Sequence, residues 1–280
     1  MTWWCSAQGV AWTWSWQAYP GAWLLAGVLA FLYVWALRKL NPPIGASRAN
    51  KSHLSYFVVG VLLMWLATDW PVGALGAGYL LSVHQLQYVL LVMLVPPLML
   101  LGTPRWVCQR FLDYPLVRPL AGVVTRPVVA IVLCNAVVLL THFPRVVDVL
   151  MPTQIGSFAI DMSWLAAGLV LWWPVVRRVD EPHALSYPAR FGYLLAATLL
   201  PAIPAAFFFF ADYPIYATYE LAPPVASLSA TDDQFLGGVV MKLGTLAVVV
   251  FALTVIFFKW HAADRSPTGR IVLPRSVLDA

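Results

Sequence analysis

Residues 82–102 read SVHQLQYVLLVMLVPPLMLLG. The run is close to the ~20 apolar residues that a helix needs to cross a ~30 Å hydrocarbon core. Its first turns, however, carry His84, Gln85, Gln87 and Tyr88, and Pro96 and Pro97 follow lower down. Polar and ionisable side chains are costly in lipid, and inside a span they face a bundle interior or a cavity.

The rest of the chain supports a membrane reading of this stretch. It is 61% hydrophobic and only 10% charged, against about 25% charged in a soluble domain. Seven apolar spans are predicted, near 20–37, 54–68, 79–101, 127–142, 157–176, 191–212 and 235–259. Lipid offers no partner to a backbone N–H or C=O, so each span must be helical. The alternating polarity of a barrel strand is absent. The expectation is an all-α, polytopic membrane protein of seven transmembrane helices. Residues 1–19, with Trp3, Trp4, Trp12, Trp14 and Trp16, read as an outer segment at the lipid–water boundary. Residues 20–260 form the transmembrane domain and 261–280 a cytoplasmic tail. The N-terminus lacks a basic leader, so no cleavable signal peptide is expected.

Charge sets the expected orientation. Arg38, Lys39, Arg48 and Lys51 follow span 1, and Arg105, Arg110, Arg118 and Arg126 follow span 3. Arg177, Arg178 and Arg190 follow span 5, and Lys259, Arg265, Arg270 and Arg275 follow span 7. All lie on one side; the other side has Arg145, and Lys242 is within span 7. The positive-inside rule places the N-terminus outside and the C-terminus in the cytoplasm. Basic residues that punctuate loops in this way do not suit nucleic acid, and the bilayer is the expected partner. Cys5, Cys108 and Cys134 fall at different depths, so no intrachain disulfide is expected.

With that orientation, His84, Tyr88, His142, Asp161, Met241 and Lys242 all fall in the outer third. Asp69 and Asp233 lie nearby in outer loops. A polar pocket opening outward is expected from His84, Tyr88, His142, Asp161 and Lys242. Plainer roles compete. A histidine near a helix end can snorkel, Asp161 and Lys242 can neutralise each other, and Asp232 and Asp233 can cap span 7. His53, His183 and His261 read as solvated. His84, Gln87, Tyr88 and Leu91 share one helical stripe, and Gln85 points about 100° away. Pro96 and Pro97 interrupt the hydrogen-bond ladder, so a kink is expected there.

These residues resemble a known family, the CtaG-type cytochrome c oxidase assembly proteins of bacterial membranes. The likeness runs from about residue 20 to 260. His84, Gln87, Pro96, Pro97 and Gly102 fall in register with the family's His-rich, Pro-Pro span. "THFP" (141–144), "GLVLWWPVV" (168–176), "YPIYA" (213–217) and "DDQFLGGVVM" (232–241) match further elements in order. The resemblance implies a plasma-membrane factor that aids formation of the copper centre of a haem–copper oxidase. It implies an oxidase subunit or other respiratory-complex protein as partner. Copper(I) favours sulfur and imidazole ligands, and His84, His142 and Met241 are the matching positions that supply them.

The chain departs from the pattern at the metal site. Tyr88 stands where the family has a second histidine, Gln85 and Val89 where it has methionines, and Asp161 where it has a further histidine. Lys242 follows Met241 where the family has an aromatic residue. Weak or absent copper binding by the isolated protein is therefore the favoured expectation. Tyr88, Asp161 and Lys242 could form a polar network in place of the metal. The alternatives are a structural or interaction partner with a degenerate metal site, a proton-coupled or ion transporter using Asp161 and Lys242, and a haem-binding variant using His84 and His142. Enzymatic activity is not expected, since hydrolase, zinc-protease, phosphate-loop and dinucleotide motifs are absent.

Overall fold

Prolines mark where many helices begin. Pro lacks an N–H that the first helical turn would leave unpaired in any case, and its fixed φ suits that position. Pro20, Pro119, Pro127, Pro144 and Pro188 all stand there. The structure, a computed structural model, describes residues 2–40, 42, 49–176, 184–225 and 227–265. Arg48, Arg177, Arg178, His183, Arg270, Arg275 and most of the expected tail lie outside the described residues.

Every regular element among the described residues is a helix. The order is α1 Pro20–Lys39, α2 Lys51–Thr68, α3 Val72–Gly78, α4 Leu81–Tyr88, a π-helical segment Val89–Leu94, and α5 Val95–Gly102. Next come α6 Arg105–Leu112, α7 Arg118–Val124, α8 Pro127–Thr141, α9 Pro144–Leu150 and α10 Gln154–Val176. The last are α11 Tyr187–Ala197, α12 Ala202–Phe210, α13 Ala217–Glu220 and α14 Ala230–Asp264. Six stretches are long and apolar enough to cross a membrane. They are α1, α2, the 81–102 span, α10, the α11–α12 pair and α14.

The expected fourth span takes a different form. α8 has 15 residues, or ~22 Å at 1.5 Å per residue. It meets α7 at 86°, and only the bent pair together would make a seventh span. Pro127 opens α8, and the preceding Arg126 is held extended, as a residue before proline prefers. The sixth span is likewise two helices, because Pro201 closes the turn between α11 and α12.

Where the kink is expected, the helix widens into a π-turn just before Pro96 and Pro97. α4, the π-helical segment and α5 form one 22-residue span. A proline cannot donate to the carbonyl four residues before it. For Pro96 that carbonyl belongs to Val92, and the Trp172 indole N–H donates to it at 3.2 Å. Gly168, one turn before Trp172, makes the approach possible: a Cβ there would lie 2.5 Å from Pro96 Cγ and 2.6 Å from the Val92 oxygen. The "GLVLWWP" and "VPP" motifs are thus two halves of one helix–helix contact.

The 81–102 span and α10 are the most enclosed, whereas α1 and α14 are peripheral. α4 packs on α14 and α3, α5 on α2 and α10, and α8 on α10. The Trp-rich start does not simply lie at the boundary. Trp14 and Trp16 are exposed, but Trp4 and Cys5 are buried. The Trp3 carbonyl accepts from Gly21 N–H at 2.8 Å, and Ala7 N–H donates to the Met151 carbonyl at 2.9 Å. Trp3 N–H donates to Gln154 Oε1 at 2.7 Å. Residues 3–7 therefore insert into the end of the bundle that holds the starts of α4 and α10.

Candidate functional site

That end also collects the polar span residues. His84 lies in the first turn of α4, His142 at the C-terminus of α8, and Asp161 two turns into α10. Trp164 joins them. Its ring centroid is 4.9 Å from His84 and 5.6 Å from both Tyr88 and His142, and Tyr88 meets His142 edge-on at 5.3 Å. The Trp164 indole N–H donates to Thr141 Oγ1 at 2.8 Å, which ties α10 to α8. His84, Tyr88, His142 and Trp164 are all buried.

The two histidines differ in their bonding. His142 Nδ1 donates to the Val138 carbonyl at 2.8 Å. The neutral ring then has a lone pair at Nε2, 3.0 Å from the Gln85 side-chain amide. The Gln85 NH2, otherwise without a partner, is the matching donor once the amide is turned over. Among the described residues neither ring nitrogen of His84 has a hydrogen bond of good geometry, although the Gln87 side chain lies close enough to interact with the ring. Gln87 donates to the Ala67 carbonyl at 2.8 Å, and its Oε1 likewise has no well-formed bond among the described residues. Gly76 backs onto Gln87, and any Cβ there would collide with Gln87 Oε1. Tyr219 donates to the Gly76 carbonyl at 2.7 Å, and its ring is 5.8 Å from His84. Tyr216 donates to the His142 carbonyl at 2.8 Å. Buried polar atoms are normally paired, so the unpaired atoms of His84 and Gln87 mark the chemically available part of this cluster.

The remaining expected pocket residues are distributed otherwise. Asp161 accepts from the Trp4 indole N–H at 2.9 Å. Lys242 does not join the pocket and makes no ion pair with Asp161; it is exposed on α14. Depth along a helix does not fix azimuth, and at 100° per residue Lys242 is turned away from its buried neighbour Met241. Met241 lies on the stripe of Gly237 and Gly244, which pack on Leu81, Gln85 and Val89 of the third span. Met241 and Lys242 both border a cavity of about 60 Å³ beside the α11–α12 break.

Asp233 does not cap its own helix. Its carboxylate accepts from Leu81 N–H at 2.5 Å and from Ser82 N–H and Oγ–H, so it caps α4. Ser229 caps α14 through Asp232 N–H at 3.1 Å. Asp69 follows α2 and is buried. Burial pushes its carboxyl pKa above the usual range, an effect reduced by bonds from Trp70 N–H, the Trp23 indole and Tyr19 N–H. Cys5 donates to the Thr68 carbonyl at 3.3 Å. Burial raises its thiol pKa strongly, and the Asp161 and Asp69 carboxylates add to the shift.

A helical membrane bundle with a buried histidine–tyrosine–tryptophan cluster at one end is the class of protein this architecture defines. A model of the cytochrome c oxidase caa3 assembly factor family (Caa3_CtaG) matches residues 31–263, and the chain belongs to that family, as the motif resemblance implied. An uncharacterized protein of Mycobacterium bovis is 24% identical over 236 residues, covering 76% of this chain and 36% of that protein. One from Mycobacterium leprae is 23% identical over 284 residues, covering 85% and 41%. The chain thus spans well under half the length of these curated relatives. No solved structure matches it significantly.

Proposed function

We propose that the chain is a non-enzymatic assembly factor of a bacterial haem–copper terminal oxidase, and that its client is an oxidase subunit in the plasma membrane. Family membership supports the oxidase connection. The proposed topology has seven crossings, with the short α8 as the fourth and α7 turned away from it at 86°, the N-terminus outside and the C-terminus cytoplasmic. Charge supports it: Arg38, Lys39 and Lys51 lie between α1 and α2, Arg105 to Arg126 precede α8, Arg190 opens α11, and Lys259 and Arg265 end α14. The His84 end carries Arg145. The pocket then faces outward.

One observation carries the site reading. His84 is a buried imidazole whose nitrogens make no well-formed hydrogen bond among the described residues, with the Gln87 side chain beside the ring. Imidazole suits copper(I), here as cargo in transit. His142 offers its Nε2 only when Gln85 gives it up, and Met241, on the α14 stripe that packs against Gln85, is the candidate sulfur donor. A gene-deletion strain should show low oxidase activity and oxidase copper, restored by the wild-type gene and not by His84→Ala. Full oxidase activity in the deletion strain would reject the assembly role; full rescue by His84→Ala would reject the site.

A second reading keeps the oxidase partner without metal handling. It is favoured by the closed bonding of His142 and by Tyr88 in the place of a second histidine. Copper analysis of the purified protein separates the two: stoichiometric copper lost in His84→Ala counts against the metal-free version. The transporter alternative loses its motive, since Asp161 bonds Trp4 and Lys242 faces outward.

A further inference from the structure

The connection between the third and fourth spans, residues 105–126, is exposed in an unusual way. It carries Arg105, Arg110, Arg118 and Arg126 against the single acid Asp113. Arg110, Arg118 and Arg126 form no ion pair with a described residue and are exposed. Large apolar side chains stand out beside them: Leu116 is 82% exposed, Phe111 66%, Leu120 65% and Tyr114 58%. Trp106 and Ala121 are buried, and α7 packs on α8. Water would penalise so many bare apolar groups in ten residues.

The geometry resolves this. α7 meets α8 at 86°. If α8 runs along the membrane normal, α7 lies in the membrane plane, at the depth where α8 begins. Helices in that position bury apolar side chains in the acyl boundary and hold arginines at headgroup level. Resting on the membrane reading above, we infer that residues 105–126 form an interfacial foot that docks on anionic phospholipid. Phe111, Leu116 and Leu120 enter the acyl layer, and Arg110, Arg118 and Arg126 pair with phosphate headgroups. Charge complementarity selects the occupant: arginines beside a span attract an anionic leaflet, within a Debye length of ~8 Å at physiological salt. Asp113 borders a notch of about 160 Å³ with Gln109, Arg118 and Thr125. That notch therefore presents an acid beside the cation, and the anion's place is on the open face of Arg110 and Arg118.

The test uses the full chain in vesicles. Cys5 and Cys134 are buried, so with Cys108→Ser a bimane label reports from Leu116→Cys or from Gln109→Cys. Lipids carrying a nitroxide in the acyl chain should quench the Leu116 label at least about twofold more than the Gln109 label. The thermal midpoint in phosphatidylglycerol mixtures should exceed that in phosphatidylcholine alone. High salt, or the R110Q/R118Q/R126Q variant, should remove most of that difference. A Leu116 label that is no better quenched than the Gln109 label overturns the foot. A triple variant that keeps the full phosphatidylglycerol response overturns the anionic preference. Carbonate-resistant insertion of the same sample shows that the spans are in place, so an unquenched label bears on the foot alone. Oxidase activity is not the readout, so the assembly role is judged separately.

Discussion

Trp4→Phe isolates one bond that closes the pocket end. Phe keeps most of the buried ring, including the edge contact to Phe158 at 5.0 Å, but removes the N–H that Asp161 accepts at 2.9 Å. Leaving a buried acceptor without its donor costs about 1–3 kcal/mol, and the Asp161 carboxyl left behind is buried. At 1.4 kcal/mol per tenfold, the undocked population of residues 3–7 should rise about 5- to 150-fold. Because the segment is terminal, it undocks locally while the bundle stays folded. Cys5 is the native reporter, since it is buried and bonded to Thr68. Its maleimide labelling rate, followed by peptide mass, tracks the opening equilibrium and should rise by the same factor. Trp14→Phe, at an exposed position, should leave the rate unchanged. An unchanged Cys5 rate in Trp4→Phe, or an equal rise in Trp14→Phe, would refute the plug.

Three further outcomes follow from the packing and charges. Gly168→Ala places a methyl against Pro96 and the Val92 carbonyl, and should cost about 1–3 kcal/mol in thermal or denaturant unfolding; a neutral result would mean that the contact is loose. Lys242→Gln and Asp161→Asn should combine additively, within about 0.5 kcal/mol, in a double-mutant cycle; coupling well above that would restore the ion pair. Asp69 titrates higher in the folded chain than its unfolded value near 3.9. Its contribution to stability is therefore complete below that value and is lost as pH rises through the folded pKa. The wild-type midpoint should fall relative to Asp69→Asn over that rise, and a pH-independent difference would show that burial does not act on this carboxyl.

Much of the fold could be read from sequence because lipid leaves a backbone few choices. The "GLVLWWPVV" match marked Gly168 and Trp172 on α10, but Trp164, one turn earlier and at the centre of the cluster, was missed. The closeness of His84, Tyr88 and His142 followed from counting residues along spans of opposite direction. Azimuth was the missing quantity. Gln85 seemed to point away, yet it reaches His142 on another helix, and Lys242 seemed deep enough for the pocket, yet it faces out. Trp4 was hidden for another reason: a tryptophan at an interface and one used as a plug have the same sequence signal. Pro127 and the Pro96–Pro97 pair marked where a straight helix is interrupted, but the prolines alone gave neither the 86° angle nor the π-helical form of the turn.

The cap on α4 has a consequence for biogenesis. The N–H groups that open the third span are satisfied by Asp233, 152 positions later than Leu81. The next residue, Gln234, accepts from Ile215 N–H at 2.7 Å and donates to the Tyr213 carbonyl at 3.1 Å. Synthesis proceeds from the N-terminus, so both clamps arrive with α14. Until α14 inserts, the helix bearing His84 starts without its Asp233 cap and the 213–215 loop without its Gln234 anchor. The histidine cluster is thus finished only once α14 is in place, and intermediates that lack it present its parts without its geometry.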